Sequence, residues 1–207
     1  MGKKGNKYST AFSSGSLLFK EADALIHGII DSEAFMKGEE ALNYSIIPIN
    51  SEASKKRMGG ELTKRLRNLG DPHFINQYVN GSRQDKLLIL FYAACRSYKL
   101  ISDFMLQIVL KKWYNLDYEV TPEDFKNFLY RQMDKHPELE NITQLTIKNR
   151  SNTVIRMLRE LGQVKDNKLQ KNEYNPAILK RIVENGDAWF LEVLLLNNRE
   201  RNEISQA

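Results

Sequence analysis

The amino-acid sequence predicts an all-α fold, a compact helical globule. Proline is scarce, at five of 207 residues, and glycine is modest at eleven, which favours long helices over a turn-rich β protein. Apolar residues recur at helical spacing, and many of these segments begin at Ser, Thr, Asp or Asn, the residues that cap helix N-termini. Apolar residues make up 42% of the chain and charged residues 28%, the balance of a globular protein with a core.

The N-terminal segment begins with a basic arm rich in Gly, Ser and Lys, residues 1–14, which we expect to be mobile. A helix is predicted from Ser16, because apolar side chains then recur on one side. Asp31 or Ser32 caps a second helix. Pro48 disfavours helix in the residue before it and predicts an extended turn.

A third, basic helix is predicted to begin at an N-cap at Asn50 or Ser51 and to end at Gly70. Helix, short helix, turn and longer helix is the order of a helix-turn-helix unit. We therefore place a helix-turn-helix at residues 16–69, within an N-terminal region of residues 1–80.

The central region, residues 81–120, is the most apolar part of the chain. Two helices are predicted there, over residues 83–97 and 100–114. They have the largest apolar surface and should therefore supply most of the hydrophobic stabilisation.

The C-terminal part of the chain contains one of its clearest helix starts, at Thr121, an N-cap followed by proline and two acids. A long basic helix follows, capped near Thr143 or Thr146 and ended by Gly162. A polar turn between two apolar positions then predicts either a small β-hairpin at residues 163–171 or a loop.

This order of elements predicts a winged-helix-like helix-turn-helix over residues 122–171, with the hairpin as its wing. It begins a C-terminal region of residues 121–207. That region continues with a helix from Asn175 to Gly186, and its last predicted element is an apolar helix over residues 187–196.

The sequence predicts a cytoplasmic protein that has no membrane partner. The N-terminus lacks the apolar run of a signal peptide. A bilayer crossing needs about 20 nearly uncharged residues, whereas Arg96, Lys99 and Asp103 interrupt the most apolar stretch. A single cysteine, Cys95, excludes an internal disulfide and suits a reducing compartment.

Positive charge is concentrated in two blocks of the sequence. Residues 50–100 contain ten Lys or Arg side chains and four acids, and residues 146–181 contain nine and three. The segments around these blocks have more acids than bases. Charge segregated in this way predicts contact with a polyanion.

The first basic helix separates its charges from its apolar residues. Met58, Leu62, Leu66 and Leu69 share one side, which we expect to be buried, and Arg65 lies on the flank. Small residues on the outward face either allow close approach to a surface or pack against a neighbouring helix. The DNA-contacting cations predicted for this helix are Lys55, Lys56, Arg57, Lys64 and Arg67.

The second basic helix has a mixed outward face, in which amide side chains that can pair with base edges accompany the cations. Charge on an exposed helix face is often only solvation, but a solvated face usually mixes acids with bases at i,i+4 spacing. These two faces are nearly free of acids, which favours an anionic ligand. The DNA-contacting residues predicted for this helix and its wing are Lys148, Arg150, Asn152, Arg156, Arg159, Lys165 and Lys168.

No enzyme activity, cofactor or metal site is predicted. His27, His73 and His136 are far apart in the sequence, and none pairs with another His or with a Cys at i,i+4 spacing. Cys95 has apolar neighbours and is assigned to the core. The sequence also lacks a Gly-rich phosphate loop and a GxSxG motif.

Five stretches of the sequence, in order from about Tyr8 to Leu196, resemble the BrxA family of BREX bacteriophage-exclusion systems. They are YSTAFSSGSLLFKEADALI, INSEASKKRMGGELTKRLRNL, SYKLISDFMLQIV, EVTPEDFKNFL and TQLTIKNRSNTVIRMLRELGQV. The resemblance implies an all-helical fold, two helix-turn-helix elements beside positive surface, DNA binding and no known catalytic activity.

The sequence and the resemblance together predict a non-enzymatic accessory protein of a BREX system that acts as a monomer and binds double-stranded DNA. Its affinity would come mainly from phosphate neutralisation by the two basic helices. Two alternatives stay open. In one, the basic faces bind other BREX proteins and the chain is an interaction scaffold. In the other, they bind RNA, although the aromatic signature of the commonest RNA-binding fold is absent from the sequence.

Overall fold

The computed structural model describes residues 7–12 and 16–206. In chain order the helices are α1 (Phe19–Ile26), α2 (Ser32–Lys37), α3 (Glu52–Arg67), α4 (His73–Asn80), α5 (Arg83–Ser97), α6 (Lys99–Phe104), α7 (Leu110–Tyr114), α8 (Pro122–Met133), α9 (Gln144–Leu161), α10 (Pro176–Glu184), α11 (Phe190–Val193) and α12 (Asn198–Gln206). A π-helical segment, Met105–Val109, joins α6 to α7, and 3-10 turns lie at Tyr44–Ile46 and Pro137–Leu139. The strands β1 (Val164–Lys165) and β2 (Lys168–Leu169) form an antiparallel hairpin. The all-α prediction is confirmed, and the hairpin alternative is confirmed over the loop.

Helix starts follow the predicted caps for most of the chain. The hydroxyl oxygens of Ser51 and Thr143 accept hydrogen bonds from backbone N–H groups in the first turns of α3 and α9. Before α8, the Thr121 N–H and hydroxyl donate to Asp124 Oδ2, at 2.8 and 3.0 Å. The first helix differs from the prediction: Leu18 has φ 59°, in the left-handed region, so α1 begins three residues later than Ser16.

Helix α5 is the centre of the core. Leu87 to Cys95 are all buried, so this helix is apolar on every side over more than two turns. It contacts α3, α4, α6 and α9. Burial of each large apolar side chain contributes about 1.5–3 kcal/mol, so the elements around α5 are held mainly by contact with it.

The second central helix continues the core from α6 through the π-helical segment to α7. The predicted helix at residues 100–114 is thus one helical run with a π-helical stretch in its middle. Phe104, at the end of α6, packs against Phe125 and Phe128 of α8, with ring centroids 5.0 and 5.7 Å apart. These aromatic contacts fix α8 against the central helices.

The N-terminal arm packs on the body wherever it is described. The Tyr8 hydroxyl donates to Asp103 Oδ2 at 2.5 Å, and the Tyr8 N–H donates to Glu138 Oε1 at 2.9 Å. Phe12 is fully buried, with its ring edge-on to Tyr98. The prediction of a mobile arm is therefore wrong for residues 7–12, because two aromatic side chains bury there; the rest of residues 1–14 lies outside the described residues.

The hairpin is joined by a third extended segment, just before α8. The Leu169 N–H donates to the Tyr118 carbonyl, and the Val120 N–H donates to the Asn167 carbonyl, both at 2.7 Å. Glu119 forms a β-bridge with Lys168. The order of elements is therefore helix, extended segment, helix, helix and hairpin, with the extended segment paired to the edge of the hairpin.

The C-terminal end differs from the prediction. The apolar helix predicted over residues 187–196 is reduced to α11, because Leu195 adopts φ 62° and ends the helical run. Helix α12 then follows, which the apolar pattern did not predict. Its sequence is polar, and charged pairs such as Arg199 with Glu203 at i,i+4 spacing stabilise it locally.

The adjacent glycines of α3 face different surroundings. A Cβ on Gly59 would lie 2.4–2.8 Å from ring atoms of Tyr44, whereas a Cβ on Gly60 would have no atom within 4 Å. We expect Gly59→Ala to lower the free energy of unfolding by about 1–3 kcal/mol through overpacking. Gly60→Ala should raise it by up to about 1 kcal/mol, because Ala favours helix over Gly. Urea unfolding followed by circular dichroism measures both, and similar effects for the two variants would contradict this packing.

Candidate nucleic-acid interface

Three cations of α3 face water. Lys56, Arg57 and Lys64 are exposed, on the side away from the buried Leu62 and Leu66. The spacing of apolar residues at i, i+4 turns the leucines to the core, which leaves these cations outside. They lie where the sequence placed them, and their contact with DNA stays a prediction.

Lys55 and Arg67 were also predicted to contact DNA, but both side chains are only partly exposed. The Lys55 side chain is only 15% exposed, and its Nζ lies 2.7 Å from Glu52 Oε1, one turn away. Arg67 stacks over the ring of Phe35, and its Nε donates to the Phe35 carbonyl at 2.9 Å. Because α2 packs beside the end of α3, the Arg67 guanidinium holds α2 in place and is half-buried.

Arg65, which the sequence placed on the flank of α3, is 2% exposed. Its Nη2 contacts the Glu61 carboxylate, and its Nη1 donates to the Ser16 carbonyl at 3.0 Å. The Tyr98 hydroxyl donates to the same Glu61 carboxylate at 3.3 Å. A buried charge needs such partners, because desolvation without them is costly. The i,i+4 spacing of Glu61 and Arg65 was the sequence signal for this pair.

Arg150 of α9 lies close enough to α3 to interact with the charges of Glu61 and Arg57. Its guanidinium stacks over the ring of Phe12, with the central carbon 5.3 Å from the ring centroid. Burial lowers the pKa of Arg150; the negative charge of Glu61 opposes this shift, and the positive charge of Arg57 adds to it. The charges of Arg150 and Arg57 therefore interact, although the two residues belong to different helices.

Tyr98 lies beneath this junction, at the end of α5. The Lys64 ammonium and the Arg65 guanidinium both lie over its ring, 5.4 and 5.5 Å from the centroid. Phe12 packs edge-on to the same ring. Contacts to one aromatic residue thus bring Lys64 of α3 and, through Phe12, Arg150 of α9 to the same part of the surface.

The outward face of α9 holds the remaining predicted residues of this helix. All of them are exposed, and they are Lys148, Asn152, Arg156 and Arg159. The opposite side is buried, including Ile147, Val154 and Leu158. Leu145 is also on the outward side, at 67% exposure. The helical pattern of the sequence assigned Leu145 neither to the core nor to the outward face.

The hairpin extends this surface beyond the end of α9. Lys165 and Lys168 are exposed and lie opposite each other in the hairpin register. Arg159 Nη2 donates to Asn167 Oδ1 in the hairpin turn at 2.8 Å. The turn residues Asp166 and Asn167 have φ 50° and 61°, which is typical of a tight two-residue hairpin turn. The Arg159 bond fixes the hairpin relative to α9.

The described part of the chain gives no support for a metal site, a reactive cysteine or a bilayer-spanning helix. Residues 7–12 and 16–206 contain no group of three His, Cys, Asp or Glu side chains that could hold a metal ion. Cys95 is buried, and burial raises its pKa well above the ordinary value, which disfavours the nucleophilic thiolate. None of the described helices combines the length and apolar character that a bilayer crossing requires.

Comparison with known proteins gives consistent matches. A family model described as BrxA matches residues 6–186. The BREX protein BrxA of Bacillus cereus (strain H3081.97) is 23% identical over 199 residues, which cover 93% of this chain and 98% of that protein. A crystal structure of an uncharacterized protein from Magnetospirillum magneticum aligns with a TM-score of 0.73 at 19% identity, over 91% of this chain and 98% of that one. At this identity the structural likeness shows the fold.

The buried pair under the interface can be tested against an exposed pair on the same helix. Glu61→Gln removes the charge that compensates Arg65, and we expect it to lower the free energy of unfolding by about 3 kcal/mol. Glu52→Gln removes the charge beside Lys55, but the Glu52 side chain is 80% exposed, so the change should stay within about 1 kcal/mol. Thermal and urea unfolding of both variants would measure the difference. Equal losses would show that the Arg65 pair has no special role.

Proposed function

The chain belongs to the BrxA family, and from that premise we propose that it binds double-stranded DNA as a non-enzymatic accessory protein of a BREX phage-defence system. Membership of this family implies a role in phage defence. The resemblance seen in the sequence implies DNA binding, and the geometry of the two basic helices supports it.

The observation that best supports the proposal is the excess of positive charge exposed along α3, α9 and the hairpin, where Glu52 and Asp166 are the exposed acids. Neutralising DNA phosphates with cations releases condensed counterions, which is the main source of sequence-independent affinity. The proposed phosphate contacts are the exposed Lys56, Arg57, Lys64, Lys148, Arg156, Arg159, Lys165 and Lys168, with Arg150 at the junction of the two helices.

The arrangement of α8, α9 and the hairpin supports a specific docking geometry. Its order, including the extended segment at Tyr118 to Val120 that pairs with the hairpin, is that of a winged helix. In helix-turn-helix proteins the second helix enters the major groove and the first crosses the backbone. We therefore propose that α9 enters the groove, while Lys165 and Lys168 lie against the sugar-phosphate backbone.

A second basic element, α3, would bind the same duplex. Arg57 of α3 and Arg150 of α9 are close enough for their charges to interact, so the cations of the two helices form one continuous surface in this proposal. The proposed binding unit is one chain, since one chain already brings both helices to this surface. We retain the helix-turn-helix assignment of residues 16–69 as part of this proposal.

Contact with other BREX proteins is a second proposed function, and a different surface supports it. The end of α7 exposes Tyr114 at 54%, and the loop after it exposes Leu116 at 73%. Asp117 and Glu119 beside them are also exposed. An exposed apolar group among acids disfavours DNA and suits a protein partner. This loop borders the basic surface, because Glu119 forms a β-bridge with Lys168 of the hairpin.

Charge reversal tests the DNA proposal directly. We expect Lys56→Glu combined with Lys64→Glu to weaken binding to a random-sequence duplex at least tenfold at 100 mM salt, because two phosphate contacts become repulsive. The matched control is Lys111→Glu combined with Arg199→Glu, which changes the charge equally on α7 and α12, where both side chains are exposed. Fluorescence anisotropy measures both affinities, and equal weakening by the two double variants would remove α3 from the interface.

Salt dependence tests the phosphate mechanism. The nine proposed phosphate contacts would give a slope of about −8, and six of them about −5, when log affinity is plotted against log salt concentration. The Lys56, Lys64 double variant should have a slope shallower by about 2. A titration between 50 and 200 mM salt, with duplex RNA as competitor, provides both measurements. Affinity independent of salt would contradict phosphate neutralisation, and stronger competition by RNA would favour the RNA alternative.

A further inference from the structure

The exposed face of α9 changes character along its length. Six side chains fall within an arc of about 100° when successive residues are placed about 100° apart. All six are exposed, and they are Leu145, Lys148, Asn149, Asn152, Arg156 and Arg159. Of the side chains of this arc that lie in the first half of α9, only Lys148 is charged. The cations Arg156 and Arg159 lie at the end of the helix nearest the hairpin.

The first turn of α9 is held in a fixed position, with Leu145 directed outward. The Tyr130 hydroxyl donates to Gln144 Oε1 at 2.7 Å, which ties the residue before Leu145 to α8. The Thr143 hydroxyl accepts from the Thr146 N–H at 3.2 Å and caps the helix. Ile147 is buried. Leu145 is therefore between anchored residues, and its side chain stays 67% exposed.

The end of α9 has the opposite chemistry. Arg159 is bonded to the hairpin turn through Asn167, and Lys165 and Lys168 follow on the hairpin. These cations suit the phosphates that border a groove. The anchored start of the helix, with a leucine and two asparagines, suits the floor of the groove, because the N-terminal residues of a recognition helix contact base edges.

We infer that the first half of α9 reads A·T base pairs in the major groove. In this arrangement Leu145 contacts the methyl group of a thymine, while Asn149 or Asn152 pairs with the N6 and N7 atoms of an adenine. The apolar methyl is the only carbon substituent that a base pair presents in this groove, and asparagine is the side chain that matches adenine. The inference rests on the proposed DNA binding and adds the base pairs that it recognises.

Thymine and uracil provide the test, because they differ only by the methyl group. The protein first selects duplexes from a random pool, and we expect enrichment of sites containing A·T pairs. Replacing the selected thymines one at a time by uracil should weaken binding about fourfold at the contacted position, the value of one buried methyl group. In Leu145→Ala the ratio of thymine to uracil affinity should fall to about one. Asn149→Ala or Asn152→Ala should reduce the preference for A·T over G·C at least fivefold.

The control is Val79→Ala, which shortens an exposed apolar side chain near the end of α4, outside both proposed DNA-binding elements. It should keep the fourfold thymine-to-uracil ratio. If Leu145→Ala also keeps that ratio, or if selection enriches no A·T pairs although random duplex is bound in a salt-dependent way, the inference is wrong and DNA binding stands. Absence of any duplex binding would overturn both the proposed function and the inference.

Discussion

The apolar character of α5 on every side is the constraint on which the rest of the structure depends. A helix whose residues from Leu87 to Cys95 are all buried must be surrounded by other elements. Helices α3, α4, α6 and α9 do this, and each presents its own apolar side to α5. The two basic helices are far apart in the sequence, but they become parts of one surface because they cover the same central helix.

The charges of this surface are arranged in two layers. The inner layer is neutral overall, because Arg65 is buried against Glu61 and both are linked to Tyr98. The outer layer is positive and is exposed to solvent. The inner pair lets a cation-rich helix pack against the core without leaving a charge uncompensated, since breaking a buried pair is far more destabilising than losing an exposed one. The outer layer can then face an anionic ligand.

Most of the fold could be predicted from the sequence, because its helices begin at strong local signals. The capping residues Thr121 and Thr143 and the terminal Gly162 act through neighbouring backbone groups, so their effect can be read from a few adjacent residues. The last helix, α12, has only polar local signals, the cap formed by Asn197 with Glu200 and i,i+4 charged pairs, and its packing on α10 could not be predicted from them. The same limit applies to the extended segment at Tyr118 to Val120, whose partner strand lies far along the chain.

The site was predicted less completely than the fold, for a related reason. Helical spacing separates an outward side from an inward side, and it placed Lys56, Lys64 and Arg156 correctly on the exposed side. It could not predict that Arg67 reaches Phe35, because that contact depends on where α2 packs. Phe12 has the widest consequence of these tertiary contacts. The Arg150 guanidinium stacks on its ring, so an uncharged residue of the N-terminal segment fixes the position of a cation within the basic surface. Substitution of Phe12 would thus move the positive charge of Arg150 relative to an anionic ligand, although the net charge of the protein would stay the same.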